Sequence, residues 1–436
     1  MSVAAEARAL VGVPALLVAA RLGGAICGML FLLLLTRTGG AALAGEVAAL
    51  IAATMLLGLA GTANIEAGGV RFMVRALATG QPEQATGFIR FSRRLTLVLA
   101  CCITAGVWIC TTPGAAGTLA LLAVPLIALA RLGAGLAMGF SRVLAGIVPR
   151  TFLRQALMLA GLALLTASLG PPDLWQVMAL WLAANAVVVT TQSVALRRHR
   201  VRLTAAPDTT HAPAWVRHGL TLGLNVLYIE YAIQLTIVLA ATVLAPADLA
   251  RLDICLKIAA FLRFAAIAVN QAFMPRLSAA LATADAPALA RWLALASLLR
   301  LAAVGTGFGV LAVTAPHLLR LFGPEFAPLA PLLLALALEP LIAALFGPAA
   351  TMLTLSSRPT TVLPVLAATL ATLALGTLLG GHLFGLWGVA AAWLAAALLW
   401  SAALAHRAQA QLGIDTTVAA TARWCRTRVP MPETTP

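Results

Sequence analysis

The chain has 436 residues, 62% of them hydrophobic and only 10% charged, with 29 Lys and Arg against 14 Asp and Glu and a formal net charge of +15. Soluble chains carry about 25% charged residues, because a water-facing surface cannot be built from apolar side chains alone. A soluble globular protein is excluded, and apolar runs of about 20 residues point instead to helices that cross a membrane.

The first such run, 10–35, is too long for the apolar part of a signal peptide and contains Arg21, so it is expected to stay as a spanning helix. Eleven more runs follow, at 43–65, 95–111, 118–141, 153–169, 174–196, 218–245, 250–274, 292–314, 328–354, 361–380 and 386–405. Turn residues separate them: Thr112-Pro113-Gly114, Gly170-Pro171-Pro172-Asp173, Ala245-Pro246-Ala247-Asp248, Gly323-Pro324, Arg358-Pro359 and Gly380-Gly381. Short alternating strands of the outer-membrane type are not seen. The expected fold class is an all-α polytopic membrane protein of about 12 transmembrane helices.

The chain also repeats. Phe72-Met73-Val74-Arg75, followed by Ala76-Leu77-Ala78-Thr79-Gly80, returns as Phe273-Met274-Pro275-Arg276 with Ala280-Leu281-Ala282-Thr283-Ala284 after it. The offset is six spans, an even number, so both halves keep one orientation and form two six-helix bundles. The division expected is 1–205 for the first bundle, 206–217 for a polar linker with Pro207 and Pro213, 218–412 for the second bundle, and 413–436 for a tail.

Orientation follows from the basic residues, 28 Arg and the single Lys257. One set of loops and both termini hold 21, including Arg71, Arg75, Arg90, Arg93, Arg94, Arg142, Arg150 and Arg154; the opposite loops hold only Arg37, Arg251 and Arg320. The positive-inside rule then places both termini in the cytoplasm. The net charge faces cytoplasm and lipid head groups, so no nucleic acid is needed to explain it. The six Cys lack metal-ligand spacing and read as small buried hydrophobes, and the six His sit in or beside loops. Neither a metal site nor a cofactor is expected.

What remains for function is the ionisable residues inside the membrane, where a charge costs roughly 2.5–3.5 kcal/mol and usually faces a partner or a wet cavity. The central ones are Arg21, Arg131, Glu230, Arg263 and Glu339. Arg131 either lines a cavity or pairs with an acid on a neighbouring helix. Asp253 and Lys257 are four apart and can pair on one face. Arg263 and Asn270 share a face. Glu230 and Glu339 are either structural carboxyls or proton carriers, since apolar surroundings raise a carboxyl pKa. Pro340 can kink its span. Arg300 is expected to snorkel to the cytoplasmic end, and Glu66, just before the basic loop, to lie at the surface.

Several motifs, in order and spacing, resemble the polysaccharide flippases of the O-antigen translocase (Wzx) type. They are Ala20-Arg21-Leu22-Gly23-Gly24 through Thr36-Arg37 with Gly39 and Gly45, and Gly69-Val70-Arg71-Phe72. They continue with Phe273-Met274-Pro275-Arg276, Leu319-Arg320-Leu321-Phe322-Gly323-Pro324-Glu325-Phe326, Phe346-Gly347-Pro348 and Phe384-Gly385-Leu386-Trp387-Gly388-Val389-Ala390-Ala391-Ala392. The resemblance spans roughly 8–415 and implies the V-shaped MATE-like architecture of the multidrug/oligosaccharidyl-lipid/polysaccharide exporter superfamily. It implies transfer of an undecaprenyl-diphosphate-linked oligosaccharide across a bacterial inner membrane, with no enzyme activity. Arg21 and Arg263 match in position arginines in the first and eighth spans of the related lipid II flippases. Those usually carry two further spans, which favours the polysaccharide branch.

On this reading Arg21, Arg263, Arg131, Lys257 and Asn270 bind the diphosphate and glycan, and Glu230, Glu339 and Asp253 couple transport to ions. The partners expected are the lipid-linked oligosaccharide, membrane lipids, a polysaccharide polymerase and glycosyltransferases. Two alternatives stay open: a multidrug or cation antiporter of the same fold, which would want a net acidic cavity, and a polytopic glycosyltransferase or ligase, which would need a catalytic outer loop. The longest outer segment, 315–327, offers only Glu325.

Overall fold

The computed structural model describes residues 3–201, 206–283, 285–355, 362–413 and 415–418. Arg202, the Arg358-Pro359 turn, Cys425 and most of the tail at 413–436 lie outside the described residues, as do the side chains of Arg8, Arg198, His199 and Arg200. The described residues form helices and their connections: α1 (Val3–Thr62), a 3-10 turn (Ile65–Ala67), a π segment (Gly69–Met73), α2 (Val74–Ala78), α3 (Pro82–Thr111), α4 (Ala115–Gly139), α5 (Val143–Val148) and a second π segment (Pro149–Leu153). There follow α6 (Arg154–Leu169), α7 (Leu174–Val201), α8 (Ala212–Ala240), α9 (Pro246–Ala282), α10 (Ala286–Arg320), a 3-10 turn (Pro324–Leu329), α11 (Ala330–Leu345), α12 (Ala349–Leu355) and α13 (Leu363–Leu412).

Nine helices among the described residues are long and apolar enough to cross a membrane. Two of them are double: α1 bends at Gly40 (φ 81°) and α13 at Gly385 (φ 58°), left-handed conformations that glycine adopts without a side-chain clash. α9 adds 37 residues, about 55 Å of helix at the α-helical rise. Each of the twelve expected spans falls on one of these segments. The tenth differs in detail. Pro340 sits inside a continuous α11, and the break comes at Phe346–Pro348, where Gly347 has φ 72°. Thr416 fills that break, its hydroxyl donating to the Phe346 carbonyl at 2.9 Å.

The chain forms two compact units, Met1–Ala241 with Ala245–Asp253, and Thr242–Leu244 with Ile254–Pro436. The division runs inside α9, and α8 packs within the first unit, whereas the repeat-based division at 206–217 counts its span with the second half. In the first unit α4 is the enclosed element, most of its length buried, whereas most of α3 is not. The segment before α8 lies along α3, with the Asp208 N–H donating to the Glu83 carbonyl at 3.0 Å and the bare Gly87 giving that backbone room.

The repeated Phe-Met-X-Arg motifs each anchor an aromatic cluster with an arginine beside it. Phe72 packs with Phe88 and His218, Trp215 with Phe88 and Phe91, and Arg71 lies 5.8 Å from the Phe72 ring. In the second unit Phe273 packs with Trp292, and Arg276 lies over both rings at 5.9 and 4.7 Å. The cysteines depart from expectation. Cys255 is buried, but Cys101, Cys102 and Cys110 are exposed on α3, a helix whose apolar surface matches lipid rather than a protein core.

Candidate functional site: two buried charge centres

The first centre starts from a chain reversal. α1 stops at Thr62, and Ala63 and Asn64 take φ of 45° and 55°, a left-handed pair uncommon for residues with a Cβ. The Asn64 N–H donates to the Thr62 hydroxyl at 3.1 Å, and its side-chain amide donates to the Gly219 carbonyl at 3.2 Å. The 3-10 turn Ile65–Ala67 is thereby folded inward, against α4. Gly135 makes this possible: a Cβ there would come within 2.5 Å of the Glu66 carbonyl oxygen. One helical turn before Gly135, on the same face, is Arg131.

Glu66 consequently meets Arg131 inside the unit. Arg131 Nη2 donates to Glu66 Oε1, and Nη1 donates to the Tyr231 hydroxyl; the guanidinium carbon lies 5.0 Å from the Tyr231 ring centre. Glu230 Oε2 is 3.8 Å from Nη1. The Arg131 side chain is 3% exposed, Glu66 10% and Glu230 48%. The expectation of a surface Glu66 is therefore corrected: the left-handed pair turns the chain back before it reaches water. Arg131 has the neighbouring acid that was one of its two alternatives. Glu230, expected deep in apolar surroundings, is half exposed.

The second centre lies in the other unit. Arg263 of α9 donates through Nε to Glu339 of α11 at 2.8 Å, and its guanidinium lies 5.4 Å from the Trp393 ring centre. The pair is 31% and 18% exposed, so it is less enclosed than the first. Ala266, Val304 and Ala344, roughly a turn along from the charged residues of α9, α10 and α11, pack together and fix their spacing. Arg300 was expected to reach water. It is partly buried, with its Nε lacking a hydrogen-bond partner and Glu339 as its electrostatic neighbour.

Each unit therefore holds one such acid–base pair between two of its helical segments. Acid then base lie on the second and fourth spans (Glu66, Arg131), and base then acid on the eighth and tenth (Arg263, Glu339), at offsets of 197 and 208 residues. The other candidates stand apart. Arg21 is exposed, with no hydrogen bond or ion pair among the described residues. Asp253 is buried and Lys257 partly so, four residues apart on α9. Asn270 is partly buried and makes no hydrogen bond to the Arg263–Glu339 pair.

Sequence reasoning missed Arg150 and Arg154 by counting them with the loops. The helical path begins at Val143, so Arg154 lies about 16 Å along it at the α-helical rise. Arg154 is buried, its guanidinium 5.0 Å from the Trp181 ring centre. The loop count used turn residues and hydropathy alone, and the helix continues through Pro149, which is tolerated where a π turn already interrupts the hydrogen-bond ladder.

No family model matches the chain, and no curated protein matches it. Solved structures do. One is an inward-facing conformation of a multidrug resistance MATE family transporter of the MOP superfamily, at 14% identity and TM-score 0.70, over 93% of this chain and 96% of that one. A MATE structure in a bent conformation matches at 14% identity and TM-score 0.60, over 94% and 95% of the two chains. A MOP superfamily transporter from Pyrococcus furiosus, described as having a binding pocket of reversed polarity, matches at 15% and 0.55, over 90% and 96%. At such identities the likeness establishes the fold: a MATE-like, all-α polytopic membrane architecture.

Proposed function

We propose that this protein is an alternating-access transporter that moves an undecaprenyl-diphosphate-linked oligosaccharide from the cytoplasmic to the periplasmic leaflet of a bacterial inner membrane. The observation that supports this best is the sign of the buried charge. In the first unit Arg131 alone faces Glu66 and Glu230, and in the second Arg263 alone pairs with Glu339, so the guanidinium groups of Arg150, Arg154 and Arg300 are left without an ion pair among the described residues. An antiporter for cationic drugs would need the reverse. Guanidinium binds phosphate oxygens through paired N–H donors, which suits a diphosphate cargo.

In this reading Arg263 receives the diphosphate in the second unit, with Lys257 and Asn270 on the same α9, and Arg21 is the phosphate-binding candidate of the first unit's opening span. Arg131 holds the first centre together through Glu66 and Tyr231. Glu339, Glu230 and Asp253 exchange protons or sodium with each cycle, since protonating Glu339 would free Arg263 for the cargo. Both termini face the cytoplasm, and the cargo's makers and users, glycosyltransferases and a polymerase, are the expected protein partners.

The test is a flipping assay with purified protein in liposomes and a fluorescent lipid-linked sugar. Wild type moves the lipid, and Arg263→Ala lowers the rate at least tenfold at equal reconstitution. Export of organic cations with no lipid movement would replace this reading with the antiporter. An unimpaired R263A would remove Arg263 from the cargo path.

A further inference from the structure

The first unit treats its buried arginines unequally. Arg131 has Glu66, Tyr231 and Glu230 around its guanidinium. Arg154, on the neighbouring α6, is 8% exposed and has neither a hydrogen bond nor an ion pair among the described residues; its buried Nε is unpartnered. Its guanidinium lies 5.0 Å from the Trp181 ring centre, and Trp181 is itself fixed, donating from Nε1 to the Thr54 hydroxyl at 3.3 Å. The charged group that acts on it is Arg150, four residues earlier and of the same sign; no carboxylate does, and Tyr231 supplies the only phenol in range. Arg150 likewise keeps a buried Nε without a partner.

Two like charges at i and i+4 destabilise a helix even in water, and a buried unpaired cation costs several kcal/mol. Structures tolerate such a charge when something else neutralises it. The turn between the two arginines is the π segment Pro149–Leu153, a helix irregularity common at functional sites. Both guanidinium groups keep open N–H donors, in the fork geometry that matches oxyanions.

From this we infer that Arg150 and Arg154, backed by the Trp181 ring, form a phosphate site inside the first unit. The ligand chemistry is a phosphate oxyanion, either free phosphate or the head group of a phosphorylated lipid. One guanidinium stacked on indole and a second one turn away present donors to two of its oxygens. The inference deepens the transport reading by naming a phosphate dock in the first unit, and rests on that reading only for where the phosphate comes from.

The experiment is thermal melting of the full-length protein in detergent at fixed ionic strength. Potassium phosphate replaces potassium chloride stepwise in one arm, and farnesyl phosphate is titrated in a second. Wild type is stabilised saturably. R150Q binds roughly 10- to 100-fold more weakly, the effect of losing one charge-assisted contact. R154M loses the response, yet without phosphate it melts at or above wild type, because it removes an uncompensated charge; a merely structural arginine would lower the melting temperature there. Stabilisation by inorganic phosphate identifies a soluble occupant, and stabilisation by farnesyl phosphate alone a lipid head group; both support the site. A wild type unresponsive to both, or variants that respond as wild type does, overturns it. A failed flipping assay with phosphate binding intact would remove the proposed cargo and leave this site standing.

Discussion

Glu66 and Glu230 both approach Arg131 but should matter very differently. Glu66 is enclosed with the guanidinium, and removing it leaves a buried charge with only a phenol and a half-exposed acid nearby. Replacement by Leu should cost about 3–5 kcal/mol, read as a lower melting temperature in detergent. The double variant E66L/R131M should recover most of that loss, because no charge is then stranded. Glu230 is 48% exposed and 3.8 Å away, so E230Q should change stability by no more than about 1 kcal/mol. Equal effects of E66L and E230Q would mean that the Arg131 charge is shared rather than held by Glu66. Of this centre, Arg131 and Glu230 were legible as ionisable residues within apolar runs. Glu66 was not, because it stands at the end of its run, and only the left-handed Ala63-Asn64 pair turns it inward.

Between elements, glycine decides how closely helices and turns approach. Gly135 admits the Glu66 backbone to α4, whereas Gly106 on α3 faces open space. Gly135→Ala should destabilise by about 1–3 kcal/mol or more, because rigid backbone must move, and it should loosen the Glu66–Arg131 pair with it. Gly106→Ala should instead stabilise by about 0.5–1 kcal/mol, the usual gain in a helix interior. Melting curves of the two variants should therefore shift in opposite directions. Nothing in the local sequence separates these glycines, since both sit in apolar helical runs. The spans themselves were legible for the opposite reason: twenty apolar residues in a row need no partner to be recognised. The break within the tenth span was not legible: Pro340, expected to kink the span, lies inside α11, and Gly347 beyond it supplies the left-handed turn.

At the scale of the whole molecule, the distribution of arginine predicts an orientation that labelling can test. The α3 helix is expected to run outward, ending near Cys110, which is exposed. In intact cells a membrane-impermeant maleimide should label Cys110, while a protein reduced to Cys425 as its only cysteine should label only after the membrane is opened. The reverse pattern would place both termini outside and undo the orientation. The repeat is also a property of the whole chain. It was legible in Phe72-Met73-Val74-Arg75 and Phe273-Met274-Pro275-Arg276, which build similar aromatic clusters. That each unit also holds an ion pair between helical segments was hidden, because the acid comes first in Glu66–Arg131 and the base first in Arg263–Glu339, at offsets that differ from the motif's.

The amino-acid sequence by itself determined that this is a polytopic helical membrane protein, how many spans it has, and which residues are ionisable within them. Those are one-dimensional properties, fixed by the length of apolar runs and the cost of charge in hydrocarbon. Which charges meet was decided only by the tertiary structure. Glu66 reaches Arg131 across 65 residues and Arg263 reaches Glu339 across 76, while Arg154 faces an indole instead of an acid. Pairing depends on backbone reversals and on glycine-sized gaps between helices, and these acquire their meaning only when distant segments are brought into contact.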